Sequence, residues 1–437
     1  MKTTNWGNYP VIDATVFSPQ SVDELKKIVL SHREMIARGL GRCYGDSSLN
    51  DIIVSTLRLN HLLAFNEQTG MIVCESGVSF SELLEILVPR GWFLPVTPGT
   101  KFVTVGGAIA SDVHGKNHHV SGSFSNHLEW IKILLSDGTI VQCSKNENAD
   151  LFWSTCGGMG LTGIIIEASF KMLKVETAYI RQRIVKTKNI DETIEAFELN
   201  KHWTYSVAWI DCLAKGKSLG RSALILGEHA TKSEVGYRYR NPLKIDKKMS
   251  IPFPIFLPNF VLNTQTVKIF NEIRYTTYVS KDSFVEYEPF FYPLDIIGDW
   301  NRMYGKRGFT QYQFVLPKET SNEGLKKILA KISSSGEGSF LAVLKLFGKQ
   351  EGMLSFPQEG FTLALDFAIS PTTLKLFNEL DVLVNEFGGR LYLSKDVRMT
   401  KDMFEKGYSN SNIFSLQKKK YDALQKFQSL QSKRIGI

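Results

Sequence analysis

Apolar and polar residues alternate along this chain in two rhythms, and the change between them divides it. Residues 11–34 begin extended and continue as SPQSVDELKKIVLSH, where Val22, Leu25, Ile28 and Val29 recur at helical spacing. Ser21 before Val-Asp-Glu-Leu reads as the N-cap, with acidic residues in the first turn. Short apolar runs at Met35–Ala37, 52–57 and 71–75 predict strands. The helical rhythm returns in SELLEILVPRG, capped by Ser79 or Ser81. Residues 127–142 alternate around Ser136-Asp137-Gly138, a hairpin signal. Asn148–Thr155 predicts a short helix and Ile164–Leu173 a strand.

From about Tyr179 the apolar runs lengthen. Strands are expected at Tyr179–Val185, Ser206–Asp211, Ala223–Gly227, Phe309–Leu316, Phe340–Phe347 and Gly360–Ile369. Helices are expected at Ile190–Asn200, Asn322–Ser333 and Thr372–Phe387. That layout predicts an antiparallel sheet with helices on one face, and an α+β chain. Leu391–Leu393 reads as a last strand, followed by basic amphipathic helices through KKKYDALQKFQSLQSKR. Between Glu228 and Asn263, RYRNPLKIDKKMSIPFPIFLPNF is basic, then proline-rich and apolar. It is too long for an ordinary connection and reads as a mobile insertion, a lid suited to a lipid surface or a lipidic substrate.

Composition narrows the class. At roughly 100–200 residues per domain, 437 residues predict two or three domains. Hydrophobic residues at 43% and charged residues at 22% build a sizeable core and exclude a disordered chain. The net charge of +8 suits a phosphate-bearing substrate, an anionic membrane surface or nucleic acid. Finger spacings and aromatic RNP patterns are missing, so no nucleic-acid partner is expected. Five cysteines without a CxxC pair argue for a reducing, cytoplasmic setting and against a disulfide framework or zinc site. The first residues, MKTTNWGNYP, lack an apolar signal core, and no apolar run reaches about 18 residues.

The chemistry concentrates in TPGTKFVTVGGAIASDVHGKNHHVSG, Thr97–Gly122, with five glycines and three histidines. Small residues at Val105–Ser111 let a ligand lie on backbone, as at a flavin dinucleotide site. A GxGxxG after a first strand is missing, which excludes a Rossmann reading. His114, His118 and His119 lack the spacing of a metal set with an acidic third ligand, so no metal is expected. A histidine that polarises a flavin or a substrate hydroxyl is favoured instead. Gly39, Gly41 and Gly45 follow the Met35–Ala37 strand, as in loops that present N–H groups to phosphate, or simply as a tight turn. Gln311 and Gln313 share one face of a predicted strand. On a buried face they would bind sugar hydroxyls; on an exposed face they carry no role. Lys395, taken alone, reads as a solvated charge.

Together these pieces resemble the vanillyl-alcohol oxidase superfamily, and more narrowly the decaprenylphosphoryl-β-D-ribose 2-oxidase family. The resemblance rests on GRCYGD (Gly41–Asp46), PGTKFVTVGGAIASDVHGKNHH (Pro98–His119), GSFSNH (Gly122–His127) and LFWSTCGGMGLTGII (Leu151–Ile165). It continues through YPLDIIGDWNRMYG (Tyr292–Gly305), TQYQFVLP (Thr310–Pro317), LKLFG (Leu344–Gly348), LSFPQEGFTLALDF (Leu354–Phe367) and RLYLSKD (Arg390–Asp396). The resemblance implies a two-part FAD-binding domain at 1–176 and 390–437, of the VAO/PCMH type. It implies a substrate domain at 177–389 with a large antiparallel sheet and the insertion at about 228–263.

For the cofactor it implies contacts from Arg38, Gly39, Leu40, Gly41, Arg42, Cys43, Tyr44 and Gly45. Pro98, Gly99, Thr104, Val105, Gly106, Gly107, Ser111, His114, Gly115, Asn117, His118 and Gly122 follow, then Gly163, Ile165, Tyr392 and Lys395. Tyr44 stands where many superfamily members carry a flavin-linked histidine, so the FAD is expected to be non-covalent. Lys395, His114 and Tyr44 are the implied catalytic groups, with the base undecided among them. Gln311, Gln313, Lys345, Ala364 and Lys395 are the implied substrate residues. Ala364 replaces the cysteine of the actinobacterial enzymes, leaving the oxidation intact and removing a thiol open to covalent inhibitors.

The implied reaction oxidises the ribose 2-hydroxyl of a polyprenylphosphoryl-ribose to a 2-keto sugar, the first half of an epimerisation to arabinose for cell-envelope glycans. Implied partners are a short-chain-type keto-reductase, a quinone or other electron acceptor, and the inner face of the plasma membrane. The competing expectation is an alditol or aldonolactone oxidase acting on a soluble polyol.

Overall fold

A computed structural model describes residues 1–236, 241–245, 251–258 and 261–437. The lid expected at 228–263 lies partly outside the described residues. The chain opens with β1 (Thr15–Phe17), α1 (Val22–Ser31), β2 (Ile36–Arg38) and β3 (Ile52–Ser55). Ser21 caps α1 by accepting from the Glu24 N–H, and Leu25, Ile28 and Val29 are buried. The three strands form a parallel sheet in the order β1-β3-β2.

Next come β4 (Leu62–Phe65), β5 (Met71–Glu75), α2 (Phe80–Leu87), α3 (Val105–Ala110), β6 (Leu128–Leu134), β7 (Ile140–Cys143) and β8 (Ile164–Lys171). They build a five-stranded sheet in the order β7-β6-β8-β5-β4. Ser79 closes a capping box with Glu82 at the start of α2, a device worth about 1 kcal/mol. Sequence reasoning did not read Val105–Ala110 as a helix. Thr104 supplies its cap by accepting from the Gly107 N–H, which lets two consecutive glycines sit in one turn.

An eight-stranded sheet follows. Its strands are β9 (Tyr179–Thr187), β10 (Tyr205–Ile210), β11 (Ser222–His229), β12 (Asp282–Glu286), β13 (Phe309–Pro317), β14 (Ala342–Phe347), β15 (Gly360–Ala368) and β16 (Arg390–Leu391). Their order is β12-β9-β11-β10-β14-β15-β13-β16, with every described pairing antiparallel. Between them lie α4 (Ile190–Leu199), α5 (Thr264–Thr277), α6 (Lys318–Ser335) and α7 (Pro371–Glu386).

Period-two geometry gives the sheet two unlike faces. Ala208, Ile210, Leu224, Leu226, Phe314, Leu344, Leu363 and Leu365 pack against Leu325, Ile328, Leu329, Leu376 and Leu380 of α6 and α7. The opposite face carries Val207, Trp209, Gln311, Gln313, Val343, Lys345 and Ala364, and it floors a cavity. Register aligns Gln313, Ala364, Val343 and Trp209 in one row across four strands.

Two late elements differ from expectation. The last strand stops at Leu391, at the edge of the large sheet, and Leu393–Lys395 turns as a 3-10 helix. The turn lets the Ser394 carbonyl accept from the Tyr44 N–H, tying Lys395 to the first glycine loop. The tail divides into Ser411–Tyr421 and Leu430–Ile435, because the Asp422 carboxylate accepts the Lys426 and Phe427 amides between them. The tail then returns to the N-terminal part. The Gln428 N–H donates to the Met35 carbonyl, and Leu430 N–H to Leu49.

Candidate active site

One cavity of about 540 Å³ lies between the glycine-rich loops and the open face of the large sheet. The loop after β2 contributes Arg38, Gly39, Leu40, Gly41, Arg42, Cys43 and Tyr44. Pro98, Gly99, Thr104, Gly106, Gly107, Ser111, His114 and Gly115 line the wall beside α3, with Gly163 and Ile165 from β8. Gln311, Gln313, Lys345 and Ala364 come from the sheet, and Tyr392 and Lys395 from the turn after β16.

Five residues expected at the cofactor do not line the cavity. Gly45 packs its backbone where an added Cβ would lie 1.8 Å from the Asp396 carbonyl oxygen. Val105 turns into the core on the buried side of α3. Asn117 donates to the Pro95 carbonyl at 2.8 Å. The Nδ1 of His118 accepts from the Gly348 N–H at 3.2 Å, and its ring lies 4.6 Å from Phe347. Gly122 ends the His118–Ser121 turn at φ 68°, a backbone suited to glycine. These groups shape the wall from behind.

The cavity also gathers residues that the sequence reading did not single out. Ser76, Trp209, Arg274, Tyr278, Asp295 and Trp300 line it. Behind its wall lies Asp366, fully buried, with Gln311 Nε2 donating to its Oδ1 at 2.6 Å. The available signal was a lone acid inside the apolar run GFTLALDFA.

Electrostatically the site is cationic and poorly solvated. The Lys116 ammonium donates to the carbonyls of Phe290 and Phe291, and burial followed by the charge of Lys345 pushes it down to about 7. Lys345 is likewise pushed down to about 7, by burial and then by Lys395. Burial also lowers Lys395, while Asp366 pulls it back up. All three lysines keep part of their surface on the cavity, so water there moderates these shifts.

Lys395 Nζ sits 3.7 Å from the centroid of the Tyr44 ring. Burial, then Asp366, holds the Tyr44 phenol well above its ordinary range, so it stays protonated. His114 is held well below the ordinary histidine range, first by burial and then by Lys345. Gln313 Nε2 donates to His114 Nε2 at 3.1 Å, which leaves the ring proton on Nδ1. Among the described residues, no group of three or more His, Cys, Asp or Glu is placed to hold a metal ion.

The cavity fits FAD by its unsatisfied groups. Arg38 Nη1, Ser76 Oγ and His114 Nδ1 are buried and have no hydrogen-bond partner among the described residues, and all three residues line the cavity. Buried polar groups are normally paired, so these await a polar ligand. At Gly99 an added Cβ would meet nothing within 4 Å, leaving the backbone open to that ligand.

Comparison with known proteins agrees with this geometry. Residues 14–144 match the family model described as an FAD binding domain. The chain is therefore an FAD-dependent oxidoreductase with an α+β fold. It is 39% identical over 419 residues to decaprenylphosphoryl-beta-D-ribose oxidase of Mycolicibacterium smegmatis, covering 92% of this chain and 90% of that one. Lower similarity links it to L-gulonolactone oxidase of Bos taurus, 25% over 39% of this chain and 40% of the relative. Delta(24)-sterol reductase of Homo sapiens is 25% identical over 32% of this chain and 27% of its own. This chain belongs to the decaprenylphosphoryl-β-D-ribose oxidase family.

Proposed function

We propose that this enzyme oxidises the 2-hydroxyl of a polyprenylphosphoryl-ribose to the 2-keto sugar. The observation that carries the reading is the single cavity. It joins the cofactor loops to a sheet floor bearing Gln311, Gln313 and Lys345, with Lys395 beside it on the turn after β16. The full-length likeness to a protein named for that substrate supports it. FAD, held by the Arg38–Tyr44 loop, the α3 wall and Tyr392, would supply the hydride acceptor.

The chain's own residues then divide the work. Gln311 and Gln313 orient the ribose hydroxyls, with Gln313 itself steadied by His114. Tyr44 keeps its phenol proton and His114 stays a neutral imidazole with its N–H on Nδ1, so both can act as donors. Lys395 takes the hydroxyl proton, since burial brings it towards neutral amine, and the resulting ammonium faces the electron-rich end of the reaction. Lys345 from the sheet and Lys116 from the loop after His114 also line the cavity and suit the phosphodiester.

The 2-keto product calls for a keto-reductase of the short-chain type to complete an epimerisation to arabinose for cell-envelope glycan. Turnover also needs an electron acceptor, for which a quinone fits a lipidic substrate. Arg274 of α5 and Tyr278 just after it border the cavity, while Ile269 and Ile273 of the same helix stand exposed, as do Ile251 and Ile255. That apolar surface beside the cavity suits peripheral contact with the inner leaflet of the plasma membrane. Among the described residues, no helix is long and apolar enough to cross a membrane.

The test is anaerobic mixing with a panel of polyprenylphosphoryl sugars and free polyols. Flavin bleaching by the ribose lipid is expected; bleaching by free polyols alone would reject the reading. Acid precipitation should leave yellow flavin in the supernatant, and flavin retained in the pellet would show a covalent link. Lys345→Met should raise KM for the phosphorylated substrate by about 10–100-fold, the worth of one charge-assisted contact. A dephosphorylated analogue should respond far less, and equal losses for both would remove Lys345 from the phosphodiester.

A further inference from the structure

We propose that Asp366 is a positioning residue that fixes how Lys395 holds its proton, acting from behind the cavity wall as the carboxylate that faces this lysine. Asp366 lies directly opposite Gln311 in the β13–β15 ladder, and its side chain is fully buried. Its Oδ1 accepts from Gln311 Nε2 at 2.6 Å, and its backbone N–H donates to Ser339 Oγ at 3.0 Å. Its Oδ2 is buried with no hydrogen-bond partner among the described residues. An acid kept only to brace the sheet would satisfy both oxygens or be replaced by an amide, because a half-paired buried carboxylate costs stability.

The anchoring of Lys395 brings its backbone against the strand that carries Gln311, the partner of this acid. Thr310, the neighbour of Gln311 on β13, donates from Oγ1 to the Lys395 carbonyl at 3.2 Å. The Tyr44 ring lies under the ammonium, and Phe309 packs against Tyr44 at 5.0 Å between centroids. Other titratable groups face the pair. Tyr304, stacked 4.4 Å from Phe309, and Tyr44 both stay protonated. Lys345 from β14 repels Lys395, while Cys43 acts on it from the glycine loop. Arg42 and Asp295 bear on Tyr44. Of the groups that favour the Lys395 ammonium, Asp366 acts most strongly, with Cys43 second.

The consequence concerns the proton that leaves the substrate hydroxyl. It passes to Lys395 Nζ, and the new ammonium is balanced by Asp366 across the wall. Without that carboxylate, burial and Lys345 would hold Lys395 as a weaker base. The inference rests on the proposed sugar oxidation only for its kinetic arm.

In that arm, flavin-loaded Asp366→Asn is compared with wild type over pH in anaerobic reduction. The acid limb of the rate should move down by about one pH unit or more, and the plateau should fall. An unmoved limb with a lowered plateau would mean a purely structural acid and overturn the proposal. A second arm needs neither substrate nor an Asp366 variant. Lys395→Met removes the facing cation, so Asp366 should take up a proton. Burial already raises the Asp366 carboxyl, so infrared difference spectra should then show a protonated-carboxyl band that persists to higher pH than in wild type. If that band is lost at the same pH as in wild type, the two groups do not share their charge and the proposal fails.

Discussion

Replacing Lys395 with Met is expected to slow anaerobic flavin reduction by about 100- to 10,000-fold, the range spanned by loss of a positioned proton acceptor. Tyr44 and His114 are the other groups near the proposed reaction centre; Tyr44 keeps its phenol proton, and burial makes the neutral His114 imidazole a weak base. His114 also has its free ring nitrogen occupied by the Gln313 amide. Burial also lowers Lys116 and Lys345, but Lys395 is the cavity amine packed on the Tyr44 ring and tied through Ser394 to the first glycine loop. Lys395→Arg separates its two roles. Arginine keeps the positive charge but stays protonated at any working pH, so it restores charge without basicity. Both variants should lose rate to a similar degree while retaining a flavin spectrum. An active Lys395→Arg enzyme would assign Lys395 to charge stabilisation and move the base elsewhere.

Local chemistry made part of this fold readable. Ser21 and Ser79 cap helices because a hydroxyl accepting from an N–H three residues on is a short-range event. Strand period likewise revealed the antiparallel sheet, and it put Gln311 and Gln313 on one face without saying which face was buried. Burial there comes from α3 and the glycine loops, more than a hundred residues away in sequence. The helix Thr264–Thr277 escaped because Ile269, Phe270 and Ile273 are all exposed, so its apolar residues do not mark a single buried stripe.

The site shows the same division. Glycine loops and the family resemblance led to the cofactor wall, and most of those residues do border the cavity. Val105 does not, since a helix turns each successive side chain by about 100° and sends it into the core while Thr104, Gly106 and Gly107 face the ligand. The tie of Lys116 to the carbonyls of Phe290 and Phe291 was not legible within GKNHH, because only the fold brings those carbonyls to it. Asp366 needed the ladder register before its position opposite Gln311 had meaning.

The largest loss of stability is expected from Arg434→Met, far from any ligand. Arg434 Nη2 lies 2.7 Å from Asp46 Oδ1 and 2.9 Å from Asp396 Oδ2, and Nη1 donates to the Met399 carbonyl. Both acids are buried, at 6% and 7% exposure, so removing the cation would strand two carboxylates in a poorly solvated place. Asp46 follows the first glycine loop, Asp396 follows Lys395, and Arg434 belongs to the final helix, so one guanidinium ties the tail to both edges of the site. Breaking such a pair costs about 3–5 kcal/mol, which denaturant unfolding of the flavin-loaded protein would read directly. Asp396 retains amide donors from Arg398 and Met399 and a weaker one from Gln431, so Asp46 should carry more of the penalty. Adding Asp46→Asn to Arg434→Met should therefore recover part of the loss, a non-additivity that independent sites would not show. Flavin release should also come earlier in the unfolding curve than in wild type, because the tie to the Lys395 turn is gone. Equal stability of Arg434→Met and wild type would show that the tail is held by its backbone bonds to Met35 and Leu49 instead.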